Sequence, residues 1–209
     1  ICTATMAYAL SRQDFVFRKP FAVLFLMTMY LGGGLIPEYM VVRQLGLVGK
    51  FAVYIIPGII GAYNLIVIRS FIEHLPYSFE ESAMIDGAND FVRFTKIILP
   101  LCLPVIATIS LFIAVAQWNS WFDTYLYAPF KPELTTLQYE LMKILQSAQS
   151  AAQAAKDTNS IAMQEAAGRV SPISIRMAVT VISTVPILVV YPFLQRYFVS
   201  GLTLGAVKS

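Results

Sequence analysis

Apolar positions along this chain gather into long runs, and polar positions fill the short stretches between them. A helix of roughly 20 mostly apolar residues is long enough to cross a bilayer. Four runs qualify: about Pro20 to Ile36, Phe51 to Ile68, Ile97 to Trp118 and Ile173 to Leu194. Residues 1–10, ICTATMAYAL, are already apolar and read as the second half of another membrane helix. That makes five visible spans, and the pattern predicts an all-α polytopic membrane protein. The start has neither a Met nor the basic stretch that opens a signal peptide, so a further span is expected before residue 1.

Prolines 57, 100, 104, 186 and 192 fall inside these runs. Membrane helices tolerate proline because neighbouring groups satisfy the freed carbonyls. Simple bending and hinging in a shape-changing protein both fit. The stretch from about Asp123 to Ser171 differs in kind, being rich in Ala, Gln and Ser. Leu134, Leu137, Leu141 and Ile144 recur there at helical spacing, which predicts an amphipathic surface helix, with a disordered tether as the alternative.

The charged stretch between Ile68 and Ile97 interrupts the apolar pattern most sharply. Ser78-Phe79-Glu80-Glu81 has the spacing of a capping box, with both glutamates in a first turn where the helix dipole favours them. Asp86-Gly87 is a stop-and-turn signal, after which Asn89 or Asp90 can cap a second helix. Phe91, Phe94 and Ile98 form an apolar stripe on that second helix, with Arg93 and Lys96 off it. Residues 71–99 therefore predict a folded helix–turn–helix. Its stripe suits a groove on another protein, the chain's own helices or the membrane surface.

Composition agrees with the pattern. Hydrophobic residues make up 57% and charged ones 13% of the 209 residues, and mean hydropathy is +0.67. Ordinary soluble domains carry about 25% charged residues. A net charge of +3 without a clustered basic face offers no case for nucleic acid. Lys and Arg near the run ends favour residues 11–19, 69–96 and the tail as the cytoplasmic side. Cys2 and Cys102 lie in separate apolar runs and are expected to be packing residues. One histidine and no paired thiols leave no basis for a metal site, and no phosphate-binding GxxxxGK[ST] loop occurs.

Glu81-Ser82-Ala83, three residues, Gly87, nine residues and Ile97-x-Leu99-Pro100 resemble the EAA loop of ABC-importer permeases, with Ser82 as the one departure. Asp86-Gly87-Ala88, Gly33-Gly34-Leu35-Ile36-Pro37, Trp118-Asn119-Ser120-Trp121 and Gly201 to Lys208 are similar to the MalG-like permeases of carbohydrate importers. Within these, the oligosaccharide and polysaccharide-fragment group is the nearest in pattern. The resemblance runs from Ala9 to Lys208, apart from about residues 145–168. It implies a single MetI/MalG-like permease domain over residues 1–209, usually with six spans, in a bacterial cytoplasmic (inner) membrane. It implies an extracytoplasmic loop over 123–172 and, as partners, a second homologous permease, a dimeric ABC ATPase and an extracytoplasmic sugar-binding protein. ATP and Mg would sit on the ATPase, and this chain would hold no cofactor.

By the same resemblance the ATPase-coupling residues are Glu81, Ser82, Ala83, Asp86, Gly87, Ile97, Leu99 and Pro100. Glu81 would pair with a basic residue of the ATPase, Ala83 would permit close approach, and Gly87 would make the turn. On the opposite side, Trp118, Trp121, Phe122, Tyr125, Tyr127 and Phe130 crowd one run's end, as sugar-stacking planes or as an interfacial aromatic belt. Gln117, Asn119 and Trp121, with Asn64 in the earlier run, are the candidates for a substrate path. Neither paired carboxylates nor an HExxH pattern supports a membrane enzyme, and the runs lack the buried charges of an ion-coupled carrier.

Overall fold

The computed structural model describes residues 1–157 and 172–206, and among them all regular structure is helical. The chain packs as two compact units. Among the described residues, one takes in 1–46, 52–112 and 194–206; the other takes in 47–51, 113–157 and 172–193.

The first unit is organised by α1 (Cys2–Ser11) lying along α4 (Ala62–Glu73). Ala4 and Ala7 on α1 carry almost no side chain and are buried, so the two helix backbones can approach closely. Leu10, Leu65, Ile68 and Ile72 fill the seam, and Phe94, Ile98, Cys102 and Ile109 complete the same core. Cys102 is thus a packing residue as expected, whereas Cys2 is exposed. Helix α2 (Arg18–Tyr30) packs on both α1 and α4. Glu73 binds Arg18 at 3.0 Å and Arg69 at 2.9 Å, tying α2 to the end of α4.

Breaks in the apolar runs follow local chemistry. The run from Pro20 ends its helix at Tyr30, and α3 (Leu35–Gln44) starts after Gly34, whose φ of +83° needs glycine. The run from Phe51 is one 3₁₀ turn (Phe51–Tyr54), then irregular chain through Pro57-Gly58 and Gly61 before α4. The run from Ile97 is also broken. A π-helical turn (Phe94–Ile98) passes into the short α7 (Leu99–Leu101), and α8 (Leu103–Asn119) follows at an angle of 74°. Pro104 has no N–H to return to the preceding turn, which accounts for a bend at this point.

Taken with its bent lead-in from Asp90, α8 is long and apolar enough to cross a membrane. The other described segment that qualifies is Ile173–Pro192, within a long helix, Pro172–Ala206. That helix runs on through Pro186 and Pro192. None of the 173–192 window is buried inside the chain, which leaves its apolar surface for lipid or another subunit.

In the second unit, α9 (Phe122–Tyr127) packs against α10 (Leu137–Asp157), the amphipathic helix that the leucine spacing predicts. Leu141 is its buried anchor, while Leu137 and Ile144 remain exposed. The rest of the predicted loop, 158–171, lies outside the described residues, as do 207–209.

Ile98 is 2% exposed and Phe91 is 74% exposed, although both belong to the stripe read from the sequence. Ile98→Ala should lower stability by about 2–5 kcal/mol through a core cavity, whereas Phe91→Ala should stay within about 0.5 kcal/mol. Thermal unfolding of the detergent-purified chain checks this, and equal losses would refute the core assignment.

Candidate functional site

The charged loop folds as two helices about one glycine. Its first helix, α5, spans Ser78–Ile85. Ser78 is already the first helical residue, Tyr77 sits at the cap position, and no side chain caps the end, so the capping box expected from Ser78 and Glu81 does not form. Instead Pro76 leads in, and Tyr77 O accepts from the N–H groups of Glu80 (2.9 Å) and Glu81 (3.0 Å). Both glutamates lie in the first turn, near the positive end of the helix dipole.

The exit from α5 is a complete Schellman motif. Ala88 N–H donates to Ala83 O at 2.9 Å and Gly87 N–H to Met84 O at 3.0 Å, with Gly87 at φ +76°. A Cβ on Gly87 would meet nothing within 4 Å, so its backbone angle alone demands glycine. Asn89 then caps α6 (Asp90–Arg93), its Oδ1 accepting from Val92 N–H at 2.9 Å.

This geometry divides the motif between two faces. Glu81, Ser82, Asp86 and Gly87 are exposed, with Met84, Ile85, Tyr77, Phe79 and Phe91 as an apolar rim. Ala83 is turned inward and buried. Ile97 and Leu99 are half-buried, and Pro100 is exposed. The second-helix stripe splits, since Phe94 and Ile98 enter the chain's own core while Phe91 stays outside. Arg93, placed off the stripe by its spacing, is buried as well.

Beneath the loop lies a charged cluster that spacing alone does not reveal. The Glu80 carboxylate is buried and ion-paired with the guanidinium of Arg12, which follows α1. Arg12 also lies 3.6 Å from Asp14 and 3.8 Å from Asp90, and its guanidinium sits 5.7 Å from the centre of the Tyr8 ring. Arg93 pairs with Asp90, leaving its Nε and one Nη without a protein partner beside a cavity of about 490 Å³. Tyr8, Asp14, Phe15, Phe91 and Phe94 share that cavity's wall. The missed residues are Arg12, Glu80, Asp90 and Arg93. Their one sequence signal is the helical phase of Glu80, one residue and about 100° from Glu81.

The candidate path residues divide between the two units. Gln117, Asn119 and Trp121 belong to the second unit, and Asn64 to the first. Asn64 is half-buried beside Gly61, where an added Cβ would stand 3.1 Å from its Nδ2. Gln117 is exposed, and its carbonyl accepts from Ser120 N–H. Asn119 Oδ1 accepts from Gln138 Nε2 at 3.4 Å, Ser183 donates to Gln138 Oε1 at 3.4 Å, and Trp118 Nε1 donates to Ser183 O at 3.0 Å. This polar chain ties α10 to α8 and to the long helix. Trp121, half-buried, contacts the rings of Phe122 and Tyr125 at centroid distances of 5.7 and 6.2 Å. Tyr127, another of the clustered aromatics, is buried.

Known proteins share this sequence and fold. Residues 19–204 match the family described as binding-protein-dependent transport system inner membrane component. The polygalacturonan/rhamnogalacturonan transport system permease protein YtcP of Bacillus subtilis is 41% identical over 99% of this chain and 70% of its own length. Protein LplC of the same organism is also 41% identical, over 99% of this chain and 67% of its own. The crystal structure of a bacterial ABC transporter involved in the import of the acidic polysaccharide alginate superimposes with a TM-score of 0.68 and 31% identity. It covers 92% of this chain, which in turn spans 66% of that one. Matched along nearly all its length in sequence and fold, the chain belongs to the binding-protein-dependent transport system inner membrane components, as a permease subunit of an ABC transporter.

Proposed function

We propose that this permease takes up oligosaccharides or polysaccharide fragments by alternating access, driven by a separate ATPase that docks on the 81–100 loop. The reading rests chiefly on the loop's rigid two-faced geometry, in which the Glu81 carboxylate and an apolar rim face outward from a turn locked by Gly87. A charge set within apolar surface suits a groove on a partner. In this reading Glu81 meets a basic group of the ATPase, while Asp86 and Gly87 shape the turn and Ile97, Leu99 and Pro100 carry motion into α8. Ser82 is exposed beside Glu81, where a small residue permits close approach.

Two copies of the ATPase, each with ATP and Mg, would close beneath this chain and a second homologous permease. An extracytoplasmic binding protein would deliver the sugar. The cargo class rests on the relatives, whose names specify polygalacturonan and rhamnogalacturonan in one case and alginate in another. Gln117, Asn119 and Trp121 would lie nearest the sugar's route, with Asn64 in a second position along it.

Glu81→Lys should leave membrane insertion and permease pairing intact but abolish carbohydrate-dependent ATP hydrolysis. Normal uptake in this variant would sink the docking assignment. Gly87→Pro cannot reach the observed φ and deletes the N–H that bonds Met84, so it should lose coupling outright. Gly87→Asn, which tolerates the left-handed region better than other side chains, should keep most of it. For cargo, the complex purified with its partners should show ATPase stimulation by uronate or neutral oligosaccharides. Silence across both classes would overturn the carbohydrate reading while leaving the importer reading standing.

A further inference from the structure

The loop joins the first unit covalently at two places. Helix α4 enters it through His74–Tyr77, and α6 leaves it through the π-helical turn towards α8. Helix α1, the other half of the central seam, has no such connection. Phe94 and Ile98 pack on it from the outgoing arm, and Arg12 adds the polar contact. It stands at the C-terminal cap of α1, its side chain is 13% exposed, and its guanidinium reaches Glu80 before the Gly87 turn and Asp90 after it. One cation therefore touches both arms of the loop. Tyr8, one turn back on α1, extends the link, with its ring centre 5.2 Å from that of Phe94 on the outgoing arm.

We propose that Arg12 is a positioning residue for transport, the joint through which α1 moves as one body with the coupling loop. The inference rests on the coupling role given to the loop above. Neighbouring glutamates then have separate tasks: Glu81 faces the partner, and Glu80 holds the chain's own helix. Planar guanidinium geometry suits this task, because its fixed fork of donors spans two carboxylates in a set orientation, where an ammonium is a compact point charge on a flexible stem. A purely structural ion pair would hold the loop's fold without setting how α1 responds to nucleotide.

The test uses the full chain with co-expressed partner permease and ATPase, carrying Arg12→Glu, Glu80→Arg or both. Spin labels on the native, exposed Cys2 of α1 and on Ile85→Cys, at the exposed end of α5, report the α1-to-loop distance with and without ATP. With Arg12 and Glu80 unchanged, that distance should stay constant. Each single reversal should make it shift or broaden on ATP binding. The double exchange re-forms the pair between positions 12 and 80 but sets a carboxylate against Asp14 and Asp90, so it should restore constancy in part. Carbohydrate moved per ATP hydrolysed should fall at least about fivefold in each single variant and recover in part in the double. Arg12→Lys should fall between parent and Arg12→Glu.

A distance that stays constant in both single variants would overturn the joint, as would a double exchange no better than the worse single. The labels need only ATP and the ATPase. If no carbohydrate moves in the parent, the cargo reading fails while the distances still decide the joint. If the ATPase does not assemble with the parent, the coupling reading itself has failed.

Discussion

The close packing of α1 against α4 is the contact on which the rest of the first unit depends. Small side chains let two helix backbones meet closely, so this contact depends on fit. Ala4 and Ala7 permit that fit, and Leu10 and Leu65 fill it almost without remaining exposure. The charged loop is secured to this seam from its outgoing side, since Phe94, Ile98 and Cys102 sit in the same core. A loop fixed in this way has a defined orientation relative to α1 and α4.

Charge placement adds a second level of order, and magnitudes separate the important pairs from the incidental ones. Glu73 meets Arg18 and Arg69, but these side chains are 20–34% exposed, where an ion pair contributes about 0–1 kcal/mol. Arg12 and Glu80 are 13% and 10% exposed. Leaving one partner of a buried pair alone costs about 3–5 kcal/mol. Burial makes the pair expensive to break without making it a large source of net stability, because both ions gave up water to form it. Such a contact specifies which elements stay together.

Much of this was legible in the sequence, and what was not follows a physical rule. Helical class, the Gly87 turn, the Asn89 cap and the amphipathic helix from Leu137 all rest on local signals, and each appears in the structure. Breaks at Gly32-Gly33-Gly34 and at Pro57-Gly58 were written just as locally, but a sliding count of apolar residues runs over them. Hydropathy records how oily a segment is, not whether its backbone stays helical. The stripe of Phe91, Phe94 and Ile98 shows the complementary difficulty. Periodicity marks an apolar face, but which neighbour covers each residue depends on distant elements, here α1 and α4. Ser78 lost its capping role to Tyr77 because the chain turns in one residue earlier, after Pro76.

The Arg12 cluster was hidden for a deeper reason, since nothing local distinguishes Glu80 from Glu81. Each is a first-turn glutamate, and only the rotation between consecutive helical positions sends one inward and the other outward. That rotation also explains why the motif tolerates Ser82 yet places a small residue at 83. Ser82 is exposed, and its hydroxyl is satisfied by Phe79 O at 3.2 Å, so alanine has no advantage there. Ala83 is buried, and its carbonyl accepts the Ala88 N–H that closes the turn. A larger side chain at 83 would push α5 away from the chain and carry Glu80 away from Arg12. The small residue at 83 therefore serves the chain's own packing, and the outward face at 81 and 82 stays exposed.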